Sequence, residues 1–185
     1  MSPTIPDAFA DLLSVPEVQT RTFTGDGPFP NNPALPVLVL RRAVRTENGG
    51  LAPTFERVFG AHKWQDQWRN GIFSYHHYHS TAHEVLGIAV GAARVQLGGP
   101  EGDAFEVDVG DVLVLPAGVA HKNLDSESGF LVVGAYPAGQ DWNLKRWRPG
   151  ERPDADRNIE RVSLPSQDPV YGERGPLVEH WDLRA

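Results

Sequence analysis

Between Ile72 and Tyr136 the chain is a succession of short apolar or alternating runs cut apart by glycine: IFSYHHYH, EVLGIAV, ARVQL, AFEVDV, DVLVLP and FLVVGAY. Each run has the length of a strand and is too short for an ordinary helix. GGPEGD, Gly98 to Asp103, sets a strong turn between two of them. Short strands at such close spacing predict an all-β sandwich or barrel.

The flanks are less regular. LPVLVLRRAV, Leu35 to Val44, predicts the first strand, with TENGG after it as a turn. Residues 54–69, TFERVFGAHKWQDQWR, predict a helix with Phe55, Val58, Phe59, His62 and Trp68 on one face. Gly60 weakens that helix by about 1 kcal/mol relative to alanine. Residues 1–34 read as a proline-interrupted arm, and residues 138–185 as a second, polar one. The second carries Trp142, Trp147, Tyr171, Leu177 and Trp181, so it is expected to lie ordered on the barrel or on a second subunit. The expectation is one domain, 1–185, with a barrel core of about 35–45 and 71–137.

Composition narrows the function. The net charge is −7 and no Lys/Arg cluster exceeds RRAVR, so no nucleic-acid partner is expected. No apolar run approaches the roughly 18 residues of a membrane span. The start, MSPTIPDAFADLL, lacks the basic region and apolar stretch of a secretory signal, so the expected location is the cytoplasm. Without cysteine, any metal is held by nitrogen and oxygen.

Four of the seven histidines, His76, His77, His79 and His83, crowd just ahead of Glu84. On a strand, alternate side chains share a face, which sets His77 and His79 side by side about 6–7 Å apart at the Cα. Phe73 and Tyr75 share that face, and the Tyr75 hydroxyl is a candidate hydrogen-bond donor or acid. Glu84 can return a carboxylate to the same point. A strand starting there turns Leu86, Ile88 and Val90 inward with it. His76 and His83 have the opposite parity and are expected at the surface or an interface. Downstream, GDVLVLPAGVAHKN turns at Gly110, runs through a buried strand, turns tightly at PAG and delivers His121. Gln96 and Asn123 are candidate polar residues of the pocket.

Gly71, His77, His79, Glu84 and Gly91 match the first cupin motif, G-x5-H-x-H-x4-E-x6-G. Gly110, Pro116, Gly118 and His121 match the second, G-x5-P-x-G-x2-H. That motif normally ends in asparagine four residues after its histidine, where this chain has Asp125. The chain thus resembles the cupin superfamily, and most of all its small single-domain bacterial members of uncharacterised activity. The resemblance implies a double-stranded β-helix, or jelly-roll barrel, with one N-terminal helix and ordered N- and C-terminal arms. It implies one divalent transition metal ion (Fe, Mn, Ni, Cu or Zn) held by His77, His79, Glu84 and His121. It further suggests a metal-dependent enzyme on a small organic substrate, a dioxygenase-like oxidoreductase or an isomerase or lyase, with Tyr75 moving the proton. A non-catalytic small-molecule binder or sensor is the alternative. A homodimer is expected, because such barrels expose apolar sheet faces.

Overall fold

Antiparallel pairing carries the chain through two facing sheets. The computed structural model describes residues 3–25, 27–45 and 51–183, so the turn expected at TENGG, residues 46–50, lies outside the described residues. Its strands are β1 (Glu17–Phe23), β2 (Asn32–Arg41), β3 (Trp64–Asn70), β4 (Glu84–Val90), β5 (Ala93–Leu97), β6 (Asp103–Val107), β7 (Val112–Leu115), β8 (His121–Ser126) and β9 (Leu131–Pro137). One sheet has six strands in the order β1-β2-β7-β4-β9-β3, and the other has three in the order β6-β5-β8. The result is the expected all-β jelly roll.

The apolar runs are explained by what covers each face. Val37, Val39, Leu86, Ile88, Leu113 and Leu115 from the large sheet meet Val95 and Leu97 of the small one inside the barrel. Their neighbours Leu38, Leu40, Val85, Val112 and Val114 point outward, beneath the helix α1 (Ala52–Ala61). A sheet buried on both faces reads as continuous hydrophobic sequence rather than alternation. Leu86 and Ile88 point inward as expected. Val90 does not, because a register shift after Ile88 leaves it exposed.

The helix expected over 54–69 ends at Ala61. Phe55, Val58 and Phe59 form its buried face, and a Cβ at Gly87 of β4 would overlap the Phe55 ring. Lys63, at φ 63°, turns the chain out of the helix, and the rest becomes β3 against β9. The error has a clear source. The helical spacing sets Trp68 on one face with His62, yet Trp68 packs from a strand whose register shifts between Gln65 and Trp68.

Both flanks are built into the fold. β1 falls within the segment read as an N-terminal arm and pairs with β2. The C-terminal segment contains two further helices, α2 (Asp154–Arg161) and α3 (Pro176–His180). Tyr171, Leu177 and Trp181 are buried on the outer face of the large sheet. The Trp181 indole donates to the Pro36 carbonyl at 2.9 Å, and the Tyr171 hydroxyl donates to that of Ser14 at 2.8 Å. None of the described helices is long and apolar enough to cross a membrane.

Candidate metal centre

Two strand starts and one extended segment bring the motif side chains together. Glu84 opens β4 in the large sheet, and His121 opens β8 in the small one. His77 and His79 lie on the extended stretch that runs beside β8. His77 exchanges backbone hydrogen bonds with His121, and Asn123 donates its amide to the Phe73 carbonyl. This stretch is not the regular strand expected for IFSYHHYH, since only His77 and Tyr78 form bridges, to His121 and Lys145. The alternation nevertheless holds across His77 and His79. The second motif fastens the first: the Gly118 amide donates to the His79 carbonyl at 2.8 Å. Gly118 has φ 94°, which only glycine takes without strain, and a Cβ there would press on the Asn31 carbonyl.

The ligand-capable atoms of His77, His79 and His121 lie within 4.8 Å of one another, and all three residues are buried. Glu84 Oε2 approaches two of these imidazoles, 3.4 Å from His79 Nε2 and 3.3 Å from His121 Nε2. The outer ring nitrogens are all engaged. His77 Nδ1 meets the Tyr75 carbonyl at 3.2 Å, His121 Nδ1 meets that of Val119 at 3.1 Å, and His79 Nδ1 meets that of Asn143. A carbonyl only accepts, so each Nδ1 carries the proton and each Nε2 turns a lone pair inward. Glu84 Oε2 is itself buried with no hydrogen-bond donor. Three lone pairs and a carboxylate facing one another repel unless a cation or proton stands among them. This donor set fits a divalent transition metal.

The electrostatics follow from burial and crowding. Burial, then the neighbouring His121, pulls the His77 imidazole down to about 2. Burial alone would raise Glu84, but positive charge shared with His79 and His121, in the place a proton or cation takes among these groups, outweighs it and holds the carboxyl well below its ordinary value. Glu84 is therefore the fixed negative charge of the site.

A cavity of about 330 Å³ opens on to this cluster. Its lining includes His77, His79, Glu84 and His121, together with Tyr136, Trp68, Trp142, Phe73 and Leu144. Tyr75 is not part of it. Its ring stacks on Phe73 at 4.9 Å, stands edge-on to His77 and carries the Arg146 guanidinium 3.6 Å above it. The hydroxyl within the cavity is that of Tyr136, near the end of β9. It accepts the Trp68 indole N–H at 3.1 Å and lies within the field of the Glu84 carboxylate. Burial, and then the Glu84 charge, push it well above its ordinary pKa, so it keeps its proton. No motif marked Tyr136; the only signal was an aromatic closing the apolar run FLVVGAY.

Other candidates lie elsewhere. Gln96 donates to the Pro100 carbonyl and Asn123 to the Ser126 hydroxyl, and neither lines the cavity. Asp125, the departure from the motif, is exposed. His76 is half-buried against the Phe29 ring. His83, expected at the surface, is buried: its Nδ1 accepts the Ala117 amide and its ring packs on Trp181. Burial lowers it to about 4, so it stays neutral. The covering C-terminal segment, which strand parity could not anticipate, is the cause.

No family model matches the sequence. Among solved structures, DMSP lyase DddQ from Ruegeria pomeroyi DSS-3 shares 14% identity at a TM-score of 0.36, covering 80% of this chain and 59% of that one. The epimerase RmlC from Legionella pneumophila shares 13% at 0.35, covering 69% and 74%. Likeness at that level carries no argument about activity. The uncharacterized protein YjlB of Bacillus subtilis (strain 168) is 43% identical over 165 residues, 89% of this chain and 97% of YjlB. Identity of that extent places the chain in the same family as YjlB, and the motif histidines, converging between two antiparallel sheets as the cupin pattern requires, make it a member of the cupin superfamily.

Proposed function

We propose that this protein is a metal-dependent enzyme that moves a proton on a small organic substrate, in an isomerisation or elimination beside a carbonyl. The observation that carries the reading is the inward convergence of His77, His79 and His121, with the Glu84 carboxylate against His79 and His121, in a cavity that Tyr136 also lines. His77, His79, Glu84 and His121 are the proposed ligands. A divalent cation held there supplies a Lewis acid for a substrate oxygen. The carbonyls behind each Nδ1 keep the imidazoles aimed. Tyr136 retains its proton and presents it beside Glu84, as a hydrogen-bond donor or general acid for an oxygen bound next to it. Tyr75, outside the cavity lining, steadies His77 through its ring and its carbonyl and takes the lesser part.

The chain is proposed to act as one domain, as a homodimer, in the cytoplasm. Light scattering on the purified protein tests the dimer.

The main experiment is deuterium exchange followed by proton NMR. The metal-loaded protein is incubated in heavy water with a panel of small 2-oxo and 3-oxo compounds. Metal-dependent exchange beside the carbonyl, slowed in Tyr136→Phe at unchanged metal content, supports the reading. Substrate-dependent oxygen uptake by the Fe(II) form would make it a dioxygenase instead. Saturable binding without turnover would make it a binder.

A further inference from the structure

Two aromatic rings flank the imidazole cluster from different parts of the chain. Phe73 stands edge-on to His77 at 5.0 Å between ring centres, and Trp142 stands edge-on to His79 at 5.8 Å. Both line the cavity with Leu144, yet Phe73 is 43% exposed, Trp142 50% and Leu144 40%. Large apolar side chains left this open cost free energy unless something covers them. Here they border the mouth of the cavity that leads to the cluster, so the covering group is one that enters the cavity.

This wall is held in place before anything binds. Trp142 stacks on Tyr136 at 5.6 Å. Gln140 accepts the His83 amide and donates to the Ser163 carbonyl, and the Thr81 hydroxyl donates to the Asp141 carbonyl. Asn143 accepts the Ser80 amide and donates to its hydroxyl, and Lys145 pairs its backbone with Tyr78. Trp142 and Leu144 are thus carried on a segment tied down at both ends.

The charges of the lining point the same way. Arg69 is its one arginine, and both Glu56 carboxylate oxygens take that guanidinium, at 2.6 and 2.7 Å. Asp66 and Glu84 are negative. Among the described residues of the lining, the one arginine is thus already paired, and no second one offers itself to an anionic group away from the cluster.

We infer that the cavity selects a compact ligand with one oxygen-bearing, metal-binding head and a flat apolar body lying between Phe73 and Trp142, and that it rejects a second negative charge on that body. The inference deepens the proposed function and rests on the metal site. A body with a second carboxylate would lose its hydration beside Asp66 without gaining a partner. An apolar ring would cover the two exposed aromatics at no such cost.

Three hydroxamates with the same chelating head test this: acetohydroxamate, benzohydroxamate and 4-carboxybenzohydroxamate. Each is titrated calorimetrically into Ni(II)-loaded full-length protein, with metal content measured on the same samples. Benzohydroxamate is expected to bind at least about tenfold tighter than acetohydroxamate, and at least about tenfold tighter than its carboxylated analogue. Trp142→Ala and Phe73→Ala should each remove most of the first difference while leaving metal content unchanged. Equal affinities for the first two probes, or tightest binding of the carboxylated one, would overturn the inference while leaving the metal site standing. Protein that takes up no metal would overturn both.

Discussion

The Trp68 indole lies against the bare backbone of Gly134, its partner across the β3–β9 pair, where any Cβ would overlap the ring. From there it donates to Tyr136, the side chain two residues further along the same strand and on the same face. A glycine in a buried strand thus aims the one phenol among the described residues of the cavity lining.

Gly134→Ala should therefore destabilise the protein by about 1–3 kcal/mol, the usual range for overpacking. Urea midpoints measure it. In a Trp68→Ala background the same change should cost much less, because the ring it strikes is gone. An additive double mutant would mean that Gly134 is needed for some other reason.

His77→Ala and His121→Ala should each lower bound metal far below one equivalent per chain by elemental analysis. Each removes one inward Nε2 from a cluster only 4.8 Å across. His76→Ala should keep full occupancy, because that ring packs on Phe29 and faces away from the cluster. Equal loss in all three would show that the segment 72–79 does not hold its alternation in solution.

That alternation was the most legible part of the molecule. It placed His77 and His79 on one face even though the stretch is only loosely paired, because any extended chain alternates. Only the resemblance of the second motif to the cupin pattern carried His121 to the same point. What escaped was what long-range packing decides. Tyr136 and Trp142 reach the site from β9 and from the segment after it, and no local pattern marks either. His83 obeys the parity argument, yet it is buried, since the face it points to is covered by Trp181. β1 hid among prolines, and β3 hid in the helix-like spacing of Trp68 with the residues of the helix before it.

Asn143→Ala should weaken metal binding by about tenfold, the low end of what is lost when a ligand's outer partner goes. The Asn143 carbonyl receives His79 Nδ1–H, and its side chain fixes that carbonyl by bonding both the amide and hydroxyl of Ser80. Competition against a chromophoric chelator reads the change. Thr81→Ala, which frees only the exposed bond to Asp141, should have a much smaller effect.

Glu56→Gln should change which ligands the cavity accepts. The Arg69 hydrogen bond, partly opposed by burial, holds the Glu56 carboxyl below its ordinary value near 4.5. A depressed carboxyl pKa means that the pair supports the fold above the unfolded value, and that this support is lost as the pH falls through the folded one. At neutral pH Arg69 is therefore engaged. Both side chains are substantially exposed, so the pair adds little stability and less at high salt. Its larger effect is on the lining. With glutamine at position 56 the guanidinium regains hydrogen-bonding capacity beside the cavity. Calorimetry should then show the affinity for 4-carboxybenzohydroxamate rising several-fold relative to benzohydroxamate, with metal content unchanged. An unchanged ratio would mean that the carboxylate is turned away by Asp66 or by shape, and not for want of a cation.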